Sequence, residues 1–242
     1  MITSFLSLIV FIILTVFYSV VKFFVQRKNG NTLVKIVTLI YFGLVIISQF
    51  FLNIITTREI CGSMQPTTAF FYTFIPWIFI FGSIYFVLNF FPGWKVPFSN
   101  TFGYLVTLLL GIKGVFHNIL ESKTNNKIIQ NIYEDSSLLI NEFTPGNFES
   151  MWSKLQSSNV LNKNANMFKQ QFKDRVIIKD YVSEAIWLTL AGMLITSISY
   201  NSINNSKCKK DLKTMEKEHK KWESNKNKQV KQKINPVYYV TD

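Results

Sequence analysis

Charged side chains are scarce in this sequence, and so are the residues that build metal sites and disulfide frameworks. Asp, Glu, Lys and Arg make up 17% of the 242 residues, whereas an average soluble domain has about 25%. Two Cys and two His are too few for a multi-cysteine zinc site or a disulfide-rich scaffold. Glycine-rich nucleotide-binding, H-E-x-x-H metalloprotease and G-x-S-x-G hydrolase motifs are missing as well. We therefore expect no enzyme activity and no cofactor.

In place of charge, the sequence has long runs without a single charged side chain. These runs are Met1–Val21, Ile36–Thr57, Ile60–Trp94, Val96–Ile112 and Ala185–Ser206. A helix needs about 20 predominantly apolar residues to cross a bilayer core that is about 30 Å thick. Four of the runs reach that length and Val96–Ile112 falls slightly short. The pattern predicts a polytopic integral membrane protein.

We predict an all-α membrane protein with five transmembrane helices, a small helical outer domain and a basic C-terminal tail. The spans lie at about residues 2–25, 33–55, 69–91, 98–120 and 183–203. The domains are a four-helix transmembrane region at residues 1–120, an extramembrane helical domain at 121–182, the fifth transmembrane helix at 183–206 and the Lys-rich tail at 207–242.

The span at residues 98–120 is the doubtful one, and the distribution of Lys and Arg tests it. Positive charge concentrates in the first loop, at Lys95 and in the tail. If residues 98–120 cross the bilayer, these three segments share one face, as the positive-inside rule requires. The N-terminus and the helical domain then lie outside and the tail inside. In this topology Cys61 and Cys208 lie on opposite faces and cannot pair, so a disulfide between them would refute it.

Between the third and fourth predicted spans lies a turn, Pro92-Gly93-Trp94-Lys95. Pro-Gly is a turn signal, and Trp and Lys suit the membrane–water interface, with the ring at headgroup depth and the ammonium in water. One interpretation is a tight hairpin on the inner face that joins two spans. The other is a docking motif for a partner at that face.

Small residues recur at helical spacing in two of the predicted spans. Gly103, Thr107 and Gly111 are each four residues apart, and Gly192 and Thr196 form a shorter ridge in the last span. Small residues at this spacing let helices approach closely. They predict packing between these two helices, or between copies of the chain in a homo-oligomer.

Three ionisable residues fall within or at the edge of the predicted membrane region. Lys113 and His117 are four residues apart and share a helix face, and Glu184 lies near the same boundary. An ionisable residue inside a membrane is a functional hypothesis by default. The alternatives are a structural lysine that reaches the interface or an ion pair, a proton or ion path, and a contact to a lipid headgroup.

In the predicted outer domain, apolar residues recur at helical spacing in three groups. The first group ends at 144–146, the second contains Phe148 and Trp152, and the third runs from Met167 toward the last span. These apolar faces predict either a core that belongs to the domain itself or a groove that binds a partner.

The tail carries eleven Lys, five acidic residues and no Arg, a net charge of +6. The lysines that we assign to its contact surface are Lys207, Lys209, Lys210, Lys213, Lys220 and Lys221. One interpretation is a polybasic segment held on anionic lipid, where each Lys contributes about 1 kcal/mol. The other is non-specific binding of nucleic acid, or of an acidic protein.

Three segments carry a resemblance to a known family: Cys61-Gly62, Pro76-Trp77 and, above all, Phe91–Tyr104. The sequence resembles the multi-spanning membrane proteins of large nucleocytoplasmic DNA viruses, whose inner virion membrane lies beneath an icosahedral capsid. The resemblance implies a structural protein, a minor capsid or capsid-anchoring component, in an inner virion membrane derived from the host endoplasmic reticulum. It brings no catalytic residues to this sequence.

The leading hypothesis is a structural or anchoring protein that links a bilayer to a capsid or core layer. Its expected partners are the bilayer itself and capsid or other membrane proteins. One alternative is a channel or transporter that uses Lys113, His117 and Glu184. Another is an accessory subunit of a respiratory complex in an organellar membrane, which the bias toward Asn, Lys, Ile and Phe also fits.

Overall fold

The computed structural model describes residues 2–29, 31–121, 127–206, 208 and 212–233. Within these ranges the regular structure is helical, and the extended backbone pairs at one isolated bridge, between Leu120 and Leu161. The helices are α1 Ile2–Asn29, α2 Asn31–Cys61, α3 Pro66–Pro76, α4 Gly82–Phe90, α5 Val96–Phe98, α6 Tyr104–Leu109, α7 Ile112–Ile119, α8 Lys127–Glu134, α9 Ser137–Ile140, α10 Phe148–Ser157, α11 Ala165–Asn204 and α12 Leu212–Lys233.

Four of these helical segments are long and apolar enough to cross a membrane. They are α1, α2, the segment Pro66–Phe90 that joins α3 to α4 through a π-helical turn, and α11. The number rises to five if the bent pair Pro92–Leu109 and Ile112–Ile119 is counted as one span. The prediction of an all-α protein with several helices of membrane-crossing length is confirmed.

The core of the four-helix bundle is aromatic. Phe11 of α1 lies 5.2 Å from the ring of Trp77 and 5.9 Å from the ring of Phe81, between centroids, and all three side chains are buried. Trp77 and Phe81 begin and end the π-helical turn that follows Pro76, which has no N–H to donate to the helix. α11 completes this core with Leu188, Ala191 and Ile195.

The predicted continuous helix at residues 98–120 is instead two helices. α6 and α7 are bent by 81° relative to each other. Gly111 lies at the bend with φ +82°, in the left-handed region that favours glycine, and it caps the N-terminus of α7. The sequence analysis assigned Gly111 to a packing ridge. The spacing of a glycine is the same whether it packs against another helix or forms a left-handed bend.

The segments after the bend pack against the first half of α11 and form a second apolar core. Phe172 of α11 contacts the rings of Phe116, Phe143 and Phe148 at centroid distances of 5.4, 4.7 and 5.5 Å. Trp152 of α10 is 1% exposed and belongs to the same core. The apolar faces predicted for this region pack against one another in a helical cluster built by α7–α10 and the first half of α11.

The two ends of the bundle have different neighbours. At one end, Thr3 donates a hydrogen bond to Glu59 at 2.7 Å; this end, which also holds Cys61, is called the cysteine end. At the other, Arg27 Nε lies 3.4 Å from Asp174 Oδ2, which ties the end of α1 to the helical cluster. That end, which also holds Lys95, is called the domain end.

A disulfide closes the cysteine end. Cys61, the last residue of α2, is bonded to Cys208, which follows α11, and their Cα atoms are 5.4 Å apart. The prediction that these cysteines lie on opposite faces and cannot pair is wrong. The five-span topology required that separation, and it is incompatible with the bond. The physical reason is the bend at Gly111, which keeps residues 98–120 beside the first half of α11.

Candidate functional site

A cluster of charged residues lies where α1, α2, α4, the Pro-Gly turn and α11 meet at the domain end. We call it the polar junction and define it by Lys22, Lys35, Lys95, Asp180 and Glu184. Each long helix brings a polar residue there because its apolar run ends at that level. The five residues line one cavity of about 670 Å³.

Lys22 on α1 and Glu184 on α11 form the innermost ion pair of this junction. Nζ and Oε1 are 2.5 Å apart, and the two side chains are 7% and 6% exposed. Tyr18 donates to the same carboxylate oxygen at 3.3 Å, and Lys22 Nζ lies 4.7 Å from the ring centroid of Tyr181. A charge removed from water is costly when alone, so each member depends on the other.

The Pro-Gly turn is fastened to α11 by three polar contacts. Lys95 Nζ lies 2.5 Å from Asp180 Oδ2, and Ser183 donates to the Lys95 carbonyl oxygen at 2.6 Å. The indole of Trp187 donates to the Trp94 carbonyl oxygen at 2.8 Å. Of the predicted turn residues, Pro92, Gly93 and Trp94 are exposed. The turn packs within the chain through Lys95 and leaves the Trp94 ring at the surface.

Lys179 is a buried ammonium group with neutral oxygen partners. It is 2% exposed, and Nζ lies 2.9 Å from the carbonyl oxygen of Ile140, 3.1 Å from Asn100 Oδ1 and 3.4 Å from Asn141 Oδ1. A second, narrower cavity of about 210 Å³ adjoins it and shares Lys95 and Asp180 with the first. Lys179 therefore joins the helical cluster to the polar junction.

The three predicted intramembrane charges do not come together. Lys113 and His117 are exposed on α7, whose opposite face contacts Phe172 through Phe116. Glu184 lies twelve residues beyond Phe172, which is about 18 Å farther along α11 at 1.5 Å per residue. Its partner is Lys22 of α1, which lies inside the first predicted span.

The two predicted small-residue ridges contact different partners. A Cβ at Gly103 would lie 2.5 Å from the Lys179 carbonyl oxygen, so Gly103 permits close packing on α11. Gly192 faces α1 instead, against Phe11. Thr107 and Thr196 are buried. The Thr107 hydroxyl donates to the Tyr104 carbonyl oxygen, and the Thr196 hydroxyl has no hydrogen-bond partner within the part of the chain that the structure describes.

The basic tail is described only in part. Lys207, Lys209 and Lys210 lie outside the described residues, and Lys213 belongs to α12. Lys220 and Lys221 are exposed. Lys226 Nζ lies 4.9 Å from the ring centroid of Trp222, so this helix presents an aromatic ring among its cations.

The sequence analysis did not identify the residues that pair with one another at the polar junction. Lys22 directly follows the apolar run that ends at Val21, where a charge normally marks the water boundary, and Lys179 and Asp180 lie a few residues before the run that begins at Ala185. A signal was available in the spacing, because Lys179, Asp180 and Glu184 lie within two helical turns. Nothing in the sequence states which lysines of other segments they meet.

Two surface carboxylates of the helical cluster have shifted pKa values. Hydrogen bonds from Lys169 and Lys173 hold the pKa of Glu149 down at about 2. A hydrogen bond from Ser137 lowers the pKa of Asp135. Both groups are exposed, so these shifts reflect surface ion pairing at Glu149 and local hydrogen bonding at Asp135 rather than a catalytic environment.

Among the described residues, no group of three His, Cys, Asp or Glu side chains is arranged to hold a metal ion. No protein family model, curated protein or solved structure matches this chain.

Proposed function

We propose that this protein is a structural membrane anchor that rigidly links a bilayer to an adjacent protein layer. The observation that carries the proposal is the continuity of α11, which runs for 40 residues without a break. Its length is about 60 Å at 1.5 Å per residue, roughly twice the thickness of a bilayer core. One helix therefore serves both as a membrane span and as a member of the helical cluster.

Both halves of α11 are locked into their surroundings. The first half inserts Phe172 into the aromatic core of the helical cluster, and the second half packs Leu188 and Ile195 into the bundle core. Between them, Asp180 and Glu184 pair with Lys95 and Lys22. A force applied to the cluster is transmitted to the bundle through a helix that is held at both ends and in the middle, which suits an anchor.

The proposed topology has four spans. The charges of the domain end and the disulfide of the cysteine end support it, because α1, α2, α3–α4 and the second half of α11 run side by side between them. The ion pair between Arg27 and Asp174 supports the same arrangement, since it brings the end of α1 and the helical cluster to one face. The N-terminus and the tail then share the other face.

The disulfide also supports an orientation. Disulfides persist in oxidising compartments, so the cysteine end is assigned to the outer or lumenal side and the helical cluster to the inner side. The cations Lys22, Arg27 and Lys95 of the domain end agree with this under the positive-inside rule. The tail lysines oppose this orientation, but charge asymmetry is a statistical bias, and we give more weight to the oxidising compartment that a disulfide needs.

Reporters fused to the two termini test this topology. With four spans, reporters on the N-terminus and on the C-terminus respond on the same side of the membrane, and a reporter inserted at residues 158–159, between α10 and α11, responds on the opposite side. Opposite responses from the two termini would restore the five-span order and contradict the proposal.

The proposed site of action is the inner membrane of a virion, next to a capsid or core layer. The support is the resemblance of Phe91–Tyr104 to membrane proteins of large nucleocytoplasmic DNA viruses. This segment lies at the domain end, where Lys95 joins it to α11. The helical cluster is the part assigned to contact the neighbouring layer, and the basic tail serves the opposite face.

Detergent extraction of purified particles tests the anchor. We expect the protein to be present in many copies per particle, to be released together with the membrane, and to crosslink through the helical cluster to a capsid or core protein. Its absence from purified particles would overturn the proposal. Flux of ions across liposomes that contain only this protein would favour the channel alternative instead.

A variant of α11 tests whether rigidity matters. Ile178→Pro breaks the helix between the cluster and the bundle, since an interior proline costs about 3 kcal/mol and removes a backbone hydrogen bond. We expect the variant to insert into membranes but to lose crosslinks to the neighbouring layer. Ile178→Ala is the matched control, because it shortens the same side chain and keeps the helix.

A further inference from the structure

An apolar groove runs along the outside of the bundle between α1 and α11 and ends beside the polar junction. α1 contributes Val16, Ser19, Val20 and Phe23, and α11 contributes residues 178, 182, 185, 186 and 189. Both sets follow helical spacing, so one face of each helix forms a wall. The groove encloses about 490 Å³.

The groove presents almost only carbon to its contents. The hydroxyls of its serine and threonine are satisfied within their own helices: Ser19 donates to the Thr15 carbonyl at 2.9 Å, and Thr189 donates to the Ala185 carbonyl at 2.7 Å. An occupant therefore gains dispersion and burial here but no hydrogen bonds. A hydrocarbon chain matches this surface.

Tyr181 lines both the groove and the polar cavity. The residue is 8% exposed, and its hydroxyl has no hydrogen-bond partner among the described residues. A buried hydroxyl without a partner destabilises a protein unless a ligand supplies the missing bond. The Tyr181 hydroxyl is therefore an unsatisfied hydrogen-bond donor at the boundary between the apolar groove and the polar cavity.

The polar cavity beyond Tyr181 has a surplus of positive charge. Three lysines and two carboxylates line it, and the ion pairs Lys22–Glu184 and Lys95–Asp180 neutralise four of these five charges. Lys35 is the remaining cation; it is exposed and forms no ion pair with any described residue. An anion that enters this cavity meets an available ammonium group at the level where lipid headgroups lie.

We propose that this groove and cavity form a binding site for one anionic phospholipid. An acyl chain occupies the groove between α1 and α11, and the phosphate lies in the polar cavity, where Lys35 and the Tyr181 hydroxyl donate to it. The site needs only that the helices lie in a bilayer, so it stands or falls independently of the anchoring function.

Lipid retention by the full-length protein tests the site. The protein is purified in detergent, incubated with phosphatidylglycerol or with phosphatidylcholine, washed, and analysed by native mass spectrometry. We expect one retained phosphatidylglycerol per chain and little phosphatidylcholine. Equal retention of both lipids, or competition by free glycerol phosphate as effective as by the lipid, would overturn the proposal.

Two Trp substitutions distinguish lipid bound in the groove from lipid on the outer surface of the other helices. Ala185→Trp fills the groove, so the acyl chain loses its apolar burial there, and retained phosphatidylglycerol should fall about tenfold. Leu39→Trp adds the same ring on α2, at a residue that is 75% exposed, and should leave the retained phosphatidylglycerol unchanged. Equal effects of the two variants, or dimers that only Ala185→Trp abolishes, would contradict a lipid site.

Tyr181→Phe distinguishes a hydroxyl that binds lipid from one that only supports the fold, because the variant is compared with and without lipid. Without lipid, the variant should unfold at the same temperature as the parent or a higher one, because an unsatisfied buried hydroxyl has been removed. With phosphatidylglycerol, it should retain less lipid than the parent. A fall in both quantities would mean that the hydroxyl supports the fold rather than the ligand.

Discussion

Gly192 of α11 lies against the ring of Phe11 of α1 so closely that no Cβ fits between them. Phe11 is fully buried and contacts Trp77 and Phe81 as well, so it has no room to move away. This contact fixes the distance between the first span and α11 at the centre of the bundle. The absence of a side chain at position 192 is therefore a packing requirement.

Gly192→Ala should destabilise the protein by about 1–3 kcal/mol, because overpacking forces neighbouring side chains or the backbone to shift. Gly43→Ala is the matched control: this glycine lies in α2, where an added Cβ would have no neighbouring atom within 4 Å, and the change should be neutral or stabilising by up to about 1 kcal/mol. Denaturant unfolding in detergent measures both. Equal unfolding midpoints would contradict the close contact.

Lys22→Met should destabilise the protein by about 3–5 kcal/mol, because Glu184 would be left buried and unpaired. The double variant Lys22→Met, Glu184→Leu should recover most of this loss, since it removes both desolvated charges. A double-mutant cycle on unfolding free energies gives the coupling between the two residues. Additive effects would mean that the pair is not formed in the membrane.

Phe172→Ala should destabilise the helical cluster by about 3–5 kcal/mol, because Phe172 fills the centre of its aromatic core. Limited proteolysis of the region between α10 and α11 measures the effect, with faster cleavage expected. Phe102→Ala is the control, since that ring is 54% exposed. Unchanged cleavage of the Phe172 variant would contradict a packed core.

Thiol quantification tests the disulfide. The parent protein, denatured at lysis in alkylating reagent and without reductant, should incorporate no label at cysteine, whereas Cys208→Ser should incorporate one. Loss of this bond, which joins residues 147 apart, should cost about 2–5 kcal/mol of stability. Two free thiols in the parent would show that the cysteines do not pair in the native membrane.

The sequence determined the class of the protein, the positions of four long helices and the helical character of the region after residue 126. These properties depend on local facts: the length of an apolar run, its period, and turn residues at its ends. The sequence also predicted a helix from Met167 toward the last span, but not that this helix and the span form the single helix α11.

The tertiary structure alone decided which segments share an end. Gly111 could serve a packing ridge or a left-handed bend, and sequence spacing does not distinguish them. Because of that bend, Cys61 reaches Cys208, and Glu184 pairs with Lys22 rather than with residues of α7. The physical reason is that apolar length fixes how many helices can cross a bilayer, whereas their order across it depends on contacts between residues far apart in the chain.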